Sequence, residues 1–283
     1  MTRNTITPSA VTDALLSVGV TPGSVVLAHA DAIVAAQFPP VADFHSNSQT
    51  NSNSHSHSHS NSNDWRLDLL IEAVEAVIGK RGTLVMPAFS YSFTKGEVFD
   101  VRKTPSAAGM VSERFRIRPS VRRTADPIFS FAGKGPAMQE LCAVPVNGCE
   151  CLGANSAFSV LHRLNAHIIE LGCSMTRGGT FVHYVETAHG VDYRYRKQFS
   201  GTTISESGGT AECSVIYNVR DLTRRSDADL RRLQKRLSDE GKLRTADVGR
   251  SRIMAVTAND VFETAWKMLD EDPVSLIAEG VCS

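Results

Sequence analysis

Gly178-Gly179-Thr180 leads into Phe181-Val182-His183-Tyr184-Val185-Glu186, and the spacing of His183 and Glu186 is the feature of this chain best suited to moving a proton. Residues three apart on a helix share a face, so the two side chains can meet at a helix start. A neutral imidazole accepts a proton at physiological pH. A carboxylate beside it selects the tautomer and stabilises the imidazolium that forms. The same spacing also fits a surface or hydrogen-bonded histidine with no catalytic use. The short signatures of other chemistries are absent: no G-x-S-x-G elbow, P-loop, Rossmann glycine fingerprint or H-E-x-x-H helix occurs.

A second concentration of histidine lies at residues 45–63, which hold eight Ser, five Asn, four His, one Gln and one Thr. No apolar side chain here can offset the cost of ordering, so this stretch is expected to be a disordered insertion. Its alternation His55-Ser56-His57-Ser58-His59 could hold a transition metal loosely, but an inert surface loop is the preferred reading and no metal cofactor is expected. The six cysteines are scattered through a long chain, as reduced thiols are.

These residues need a scaffold, and the chain is large enough to build one. Its 283 residues are 42% apolar and 21% charged, which suits one globular α/β domain over 1–283. Thirty basic and thirty acidic side chains cancel, so a dedicated nucleic-acid binder is disfavoured. No apolar run approaches the roughly 20 residues of a membrane span, and the start does not read as a secretory signal. A cytoplasmic protein is therefore expected.

Helices are expected at Ser9–Gly19, with Ser9 as N-cap, and at Asp64–Ile78, with Asp64 as N-cap. Short apolar, β-branched runs predict strands at Ser24–Ala28 and Thr83–Pro87, and the helix between them makes a right-handed parallel crossover the default. Thr104-Pro105-Ser106 reads as the start of a further helix. Strands are also expected at Ile128–Ala132, His167–Leu171 and Cys213–Val219. Residues 222–283 read as a helix, a hairpin and a helix of the same domain. Leu230, Leu233 and Leu237 form the first helix's seam and Asp227–Arg231 a surface ion pair. The fold class is α/β: a mixed, mostly parallel central sheet flanked by helices.

The order of several blocks resembles the aminoglycoside 3-N-acetyltransferase family. They are Thr21-Pro22-Gly23-Ser24 through His29, Gly82 through Pro87, Thr104-Pro105-Ser106, Gly109-Met110, Arg123-Thr124-Ala125-Asp126-Pro127, Gly153 through Ser156, Leu171-Gly172, and Thr180 through Glu186. They span roughly residues 15 to 190. The resemblance implies acyl transfer from acetyl-CoA, or a related acyl-CoA, to a primary amine of an amino sugar. It places His183 on the family's catalytic histidine and Glu186 on its acidic partner. It puts His29, Ala30 and Asp31, with Thr104 and Ser106, where the family holds coenzyme A, and a helix N-terminus at Thr104 would suit the phosphates. The chain departs from the family where His29-Ala30-Asp31 replaces His-Ser-Ser and where Asp126 replaces a histidine.

The acceptor contacts implied are Asp126, Tyr193 and Arg194. The cationic run Tyr193-Arg194-Tyr195-Arg196-Lys197 also resembles relatives that acylate nucleotide-linked amino sugars, since Arg forks bind phosphate oxygens. Both acceptors stay open at this point. So does a non-catalytic binding or metal-responsive protein. Expected partners are the small-molecule acceptor and a second copy in a homodimer, with no nucleic acid and no membrane.

Overall fold

The computed structural model describes residues 5–40 and 64–278. Its elements are α1 (Pro8–Ser17), β1 (Val25–Ala30), α2 (Ala32–Ala35), α3 (Asp64–Ile78), β2 (Thr83–Pro87), β3 (Phe99–Asp100), α4 (Met110–Arg116), β4 (Arg122–Arg123), β5 (Phe131–Lys134), α5 (Met138–Leu141), β6 (Cys149–Glu150), α6 (Ala157–Arg163), β7 (His167–Leu171), α7 (Met175–Gly178), α8 (Val182–His189), β8 (Arg194–Ile204), β9 (Thr210–Arg220), α9 (Arg231–Asp239), β10 (Arg244–Val248), β11 (Ser251–Thr257) and α10 (Ala258–Glu271). The insertion at 45–63 lies outside the described residues.

Seven strands form one sheet in the order β10-β11-β7-β1-β2-β5-β4. Parallel pairing is confined to the centre, where β1 lies between β7 and β2, and both flanks are antiparallel. The mostly parallel sheet expected from the sequence is thus parallel in its middle only. The short connections after β4 and β10 bring the chain back beside its neighbour, and such connections yield antiparallel pairs. Along β1 and β2 the side chains alternate between two cores. Leu27 and Val85 face a core with α6, α8 and α10, while Val26, Ala28, Leu84 and Met86 face one with α1, α3 and α4. Helices therefore cover both faces, which is why these strands read as unbroken apolar runs.

A second sheet runs β3-β8-β9-β6, and its body is a long antiparallel hairpin pairing Arg194 with Arg220 and Ile204 with Thr210. The expected strand Cys213–Val219 lies within β9, whereas β8, which carries the cationic run Arg194–Lys197, was not expected as a strand. Three other expectations are corrected. Thr7, not Ser9, caps α1, since Pro8 occupies the first helical position and Thr7 Oγ1 accepts from Ala10 N at 3.2 Å. Helix α9 begins only at Arg231, so Asp227 lies outside it and pairs with Arg220, while Arg231 pairs with Asp229. The Leu230, Leu233 and Leu237 seam is buried as expected.

The third correction bears on the site. Thr104-Pro105-Ser106 starts no helix; α4 begins at Met110, behind Gly109 at φ 105°. Thr104 Oγ1 accepts from Asp100 N, Ser106 Oγ accepts from Ala108 N, and the Glu113 carboxylate accepts from Ser106 N. These bonds hold 100–109 as a turn. Arg123 braces it from inside: its guanidinium donates to the carbonyls of Thr104 and Ala88 and to Ser130 Oγ, and stacks on Phe99 at 4.8 Å. Burial first, then the neighbouring Arg116, lower its pKa to about 10, so it stays a cation at neutral pH.

Replacing Arg123 by Leu leaves the buried Thr104 carbonyl without its donor, while the Ala88 carbonyl and the Ser130 hydroxyl keep their bond to each other. The expected loss is about 1–3 kcal/mol of stability, the usual cost of one unsatisfied buried group, read by urea unfolding. A loss below about 1 kcal/mol would mean the brace is dispensable.

Candidate active site

The carboxyl ends of β1, β2 and β7 open into a cleft of about 440 Å³. The chain leaves β1 through α3 toward β2 on one side, and β7 lies on the other. That reversal is where ligands enter open α/β sheets. His29, Ala30 and Asp31 line the cleft from β1, Pro87 and Phe89 from β2, and Cys173 from β7, while Ala107 through Met110 form the opposite wall. Arg177, 77% exposed, stands at the rim with Asp31 Oδ2 3.5 Å from its Nη1.

At the floor, His29 Nδ1 lies 3.3 Å from Glu170 Oε1, yet among the described residues neither ring nitrogen nor that oxygen has a hydrogen-bond partner. Cys173 Sγ donates to Glu170 Oε2 at 2.9 Å, and burial together with the Glu170 charge pushes its pKa far up, keeping it a thiol. Asp31 Oδ1 accepts from Ile33 N and so caps α2. Gly178 is required by its neighbour: a Cβ there would sit 1.9 Å from Glu170 Oε2.

His183 stands one turn beyond Thr180, the last residue lining the cleft, and its N–H donates to the Thr180 carbonyl. Gly190 at φ 81° ends α8 as its C-cap. His183 Nδ1 lies 2.7 Å from Glu186 Oε2, as the helical spacing predicted. Its side chain is 20% exposed, and among the described residues nothing bonds to Nε2. Glu186 is fully buried. Burial alone would raise its pKa, but His183, Arg194 and the Tyr193 hydroxyl overcome this and hold it below the usual carboxylate range.

The last two partners come from the start of the hairpin. Tyr193 OH donates to Glu186 Oε1 at 3.0 Å. Arg194, with a side chain only 1% exposed, brings Nε within 2.6 Å of Glu186 Oε2 as an ion pair whose N–H is not aimed along that line, and Nη2 within 2.8 Å of His183 Nδ1. Two contacts thus compete for His183 Nδ1. It can donate to Glu186 or accept from Arg194, not both. Tyr217 of β9 reaches Arg194 and also influences Tyr91 on the cleft wall, so the cluster borders the cleft's Tyr91 and Thr180 end.

Of the residues expected from the sequence, His183 and Glu186 are brought together, and His29, Ala30 and Asp31 line the cleft. Thr104 and Ser106 do not line it; they shape the turn that presents Ala107–Met110. Asp126 is elsewhere, its Oδ1 accepting from Ile128 N and Phe129 N beside Cys151. Tyr193 and Arg194 are near the histidine but are spent on Glu186, not turned to an acceptor. Arg177, Tyr91 and Cys173 were not anticipated. An arginine ahead of two glycines was the only signal for the first, and the aromatic and thiol had none. Among the described residues no cluster of His, Cys, Asp or Glu is placed to hold a metal ion, and no helix is long and apolar enough to cross a membrane.

Residues 56–270, well over half of the chain, match the family described as Aminoglycoside 3-N-acetyltransferase. The chain belongs to that family. It is, with the family, an acyl-coenzyme A-dependent N-acyltransferase. Aminoglycoside N(3)-acetyltransferase IV of Salmonella sp is 29% identical to it over 262 residues, 92% of this chain and 86% of that protein. The crystal structure of aminoglycoside acetyltransferase AAC(3)-IVa as apoenzyme superimposes with TM-score 0.73 at 24% identity, covering 98% of this chain and 93% of that one. AAC-IIIb, solved as a binary complex with CoASH, gives TM-score 0.73 at 16% identity over 94% and 96%. At these identities the structures speak for the fold.

Glu186 carries a linkage consequence. A buried carboxyl held below its ordinary value adds stability that is present above about pH 4.5 and lost as pH falls through the depressed value. Unfolding free energy followed from pH 6 to pH 3 should therefore fall less steeply in Glu186→Gln than in the parent. Equal slopes would mean that folding leaves the proton affinity of this carboxyl unchanged.

Proposed function

We propose that this chain transfers the acetyl group of acetyl-CoA to a primary amine of an aminoglycoside, with His183 as general base and Glu186 as the carboxylate that orients it. The observation carrying this reading is the His183 ring itself: Nδ1 is turned onto a buried carboxylate while Nε2 has no partner among the described residues, one helical turn from the cleft. That geometry leaves one nitrogen to take a proton from an attacking amine.

The cleft suits the coenzyme's arm. Ala107, Ala108, Pro87, Phe89 and Met110 offer apolar walls to a thin chain, and Arg177 at the rim offers a cation to phosphate. When bound, acetyl-CoA supplies the activated acyl carbon. His183 Nε2 removes the amine proton as the C–N bond forms; the C–S bond then breaks with its electron pair on sulfur, and the imidazolium holds the proton that sulfur can take. Glu186 offsets the charge of that imidazolium at 2.7 Å.

An aminoglycoside is favoured over a nucleotide-linked amino sugar for a stated reason. Arg194, the cation that would have met a diphosphate, is buried against Glu186 and His183. The family and the Salmonella relative also carry the aminoglycoside in their names.

Free-thiol release from acetyl-CoA with a panel of amines tests the activity. Release with aminoglycosides is expected; release only with nucleotide amino sugars would overturn the acceptor. His183→Asn should lower kcat by roughly 10²–10⁴ while coenzyme A still binds, since that is the usual worth of a positioned base. Undiminished turnover would remove the mechanism. Arg177→Ala should raise the KM for acetyl-CoA about tenfold with kcat little changed, the loss of one charge-assisted contact.

A further inference from the structure

Three ionisable groups meet at the base: the His183 imidazole, the Glu186 carboxylate and the Arg194 guanidinium. We propose that Arg194 is a positioning residue that keeps His183 uncharged, and so able to act as a base, by making the neutral ring the electroneutral state of the buried cluster. This rests on the reading of His183 as general base.

The reasoning is a count of charge in a space from which water is excluded. Glu186 is fully buried and Arg194 nearly so. With both ionised and His183 neutral the cluster sums to zero. Protonating the ring leaves one net positive charge, and uncompensated buried charge is costly. Take Arg194 away and the balance reverses: the carboxylate alone would then draw a proton onto the imidazole, forming a stable ion pair with no lone pair left for catalysis. A histidine–carboxylate pair tends toward that resting state. Arg194 opposes it at 2.8 Å from Nδ1.

Two further charges act on the cluster's tyrosines, each already paired: Arg220, which acts on Tyr217, with Asp227, and Asp192, which acts on Tyr193, with Arg224. Tyr193 donates to Glu186 from the loop before β8, and burial pushes its own hydroxyl pKa up, so it is a neutral donor. Tyr217 on β9, likewise raised by burial, adds no charge, and Asn218 and Thr187 are neutral. Among the described residues of β8 and α8, Arg194 and Glu186 are the charged groups that contact the ring.

Geometry also assigns the proton. A carboxylate cannot donate, so an unprotonated Nδ1 facing Glu186 Oε2 at 2.7 Å would set lone pair against lone pair. Nδ1–H toward Glu186 is the state that satisfies the closer contact. In that state the Arg194 N–H that the structure aims at Nδ1 must turn aside, because two donors cannot share the contact, while its charge still acts on the ring. Nε2 is left bare on the exposed edge.

Imidazole nitrogen chemical shifts in histidine-labelled protein, followed with pH and assigned to His183 by their loss in His183→Asn, test this directly. The wild-type ring should titrate with Nδ1 protonated in its neutral form. In Arg194→Met the midpoint should move to higher pH by about one unit or more, the usual effect of removing a like charge at this range. Arg194→Lys, which keeps the charge, should stay near wild type, and Tyr193→Phe should move little. Glu186→Gln leaves the ring beside a lone cation, so its midpoint should fall. That opposite sign keeps the idea exposed if Arg194→Met does not fold. The acid limb of kcat/KM should follow each midpoint.

An unchanged midpoint in folded Arg194→Met, an equal rise in Arg194→Lys, or no fall in Glu186→Gln would each overturn the proposal. The titration is read on the ring, not on turnover. A fully active His183→Asn enzyme would defeat the base assignment and leave the electrostatic claim to be judged by the shifts alone.

Discussion

One carboxylate sets the terms for this molecule. Glu186 has no solvent around it, and a buried carboxylate that is not neutralised and hydrogen-bonded would either protonate or unfold its surroundings. Its three partners arrive from two places: His183 from its own helix, Tyr193 and Arg194 from the first residues of a long hairpin. The second sheet is therefore more than an appendage. It is the element that delivers the compensating cation, and its antiparallel register sets Arg194 opposite Arg220 at the end that touches α8.

The cleft and the base belong to different parts of the scaffold, and their meeting is a consequence of topology. Strands β1 and β7 are adjacent and parallel, so the chain emerging from both reaches the same end of the sheet. One exit supplies His29 and Asp31, the other Cys173, Arg177 and, a turn later, α8 itself. Close packing at this corner demands small residues, as Gly178 against Glu170 demonstrates. The far wall is a turn held by Arg123 from within, a buried arginine that bonds the turn to the backbone after β2.

Legibility differed by the range of the interaction. The His183–Glu186 pair could be read because helical geometry alone fixes a contact three residues apart. The buried strands β1, β2 and β7 were visible as apolar runs. The same local reasoning misled at Thr104-Pro105-Ser106, where hydroxyls that resemble a helix cap instead accept from Asp100 N and Ala108 N within a turn, and at Asp126, whose side chain accepts from the backbone just after it. Arg194 was noticed for its charge, yet charge alone did not reveal which anion it meets.

Sequence by itself determined the helical periods, the apolar strands, the proximity of the imidazole to its acid, and, through the order of its blocks, the family. Tertiary structure decided that the sheet is parallel only at its centre, that Arg194 and Tyr193 close on Glu186, and that Arg177 stands at the cleft's rim. The physical reason is that propensity and spacing act over a few residues along the chain. Burial and charge compensation act through space, and which distant segments share a low-dielectric pocket is known only once the sheets have paired.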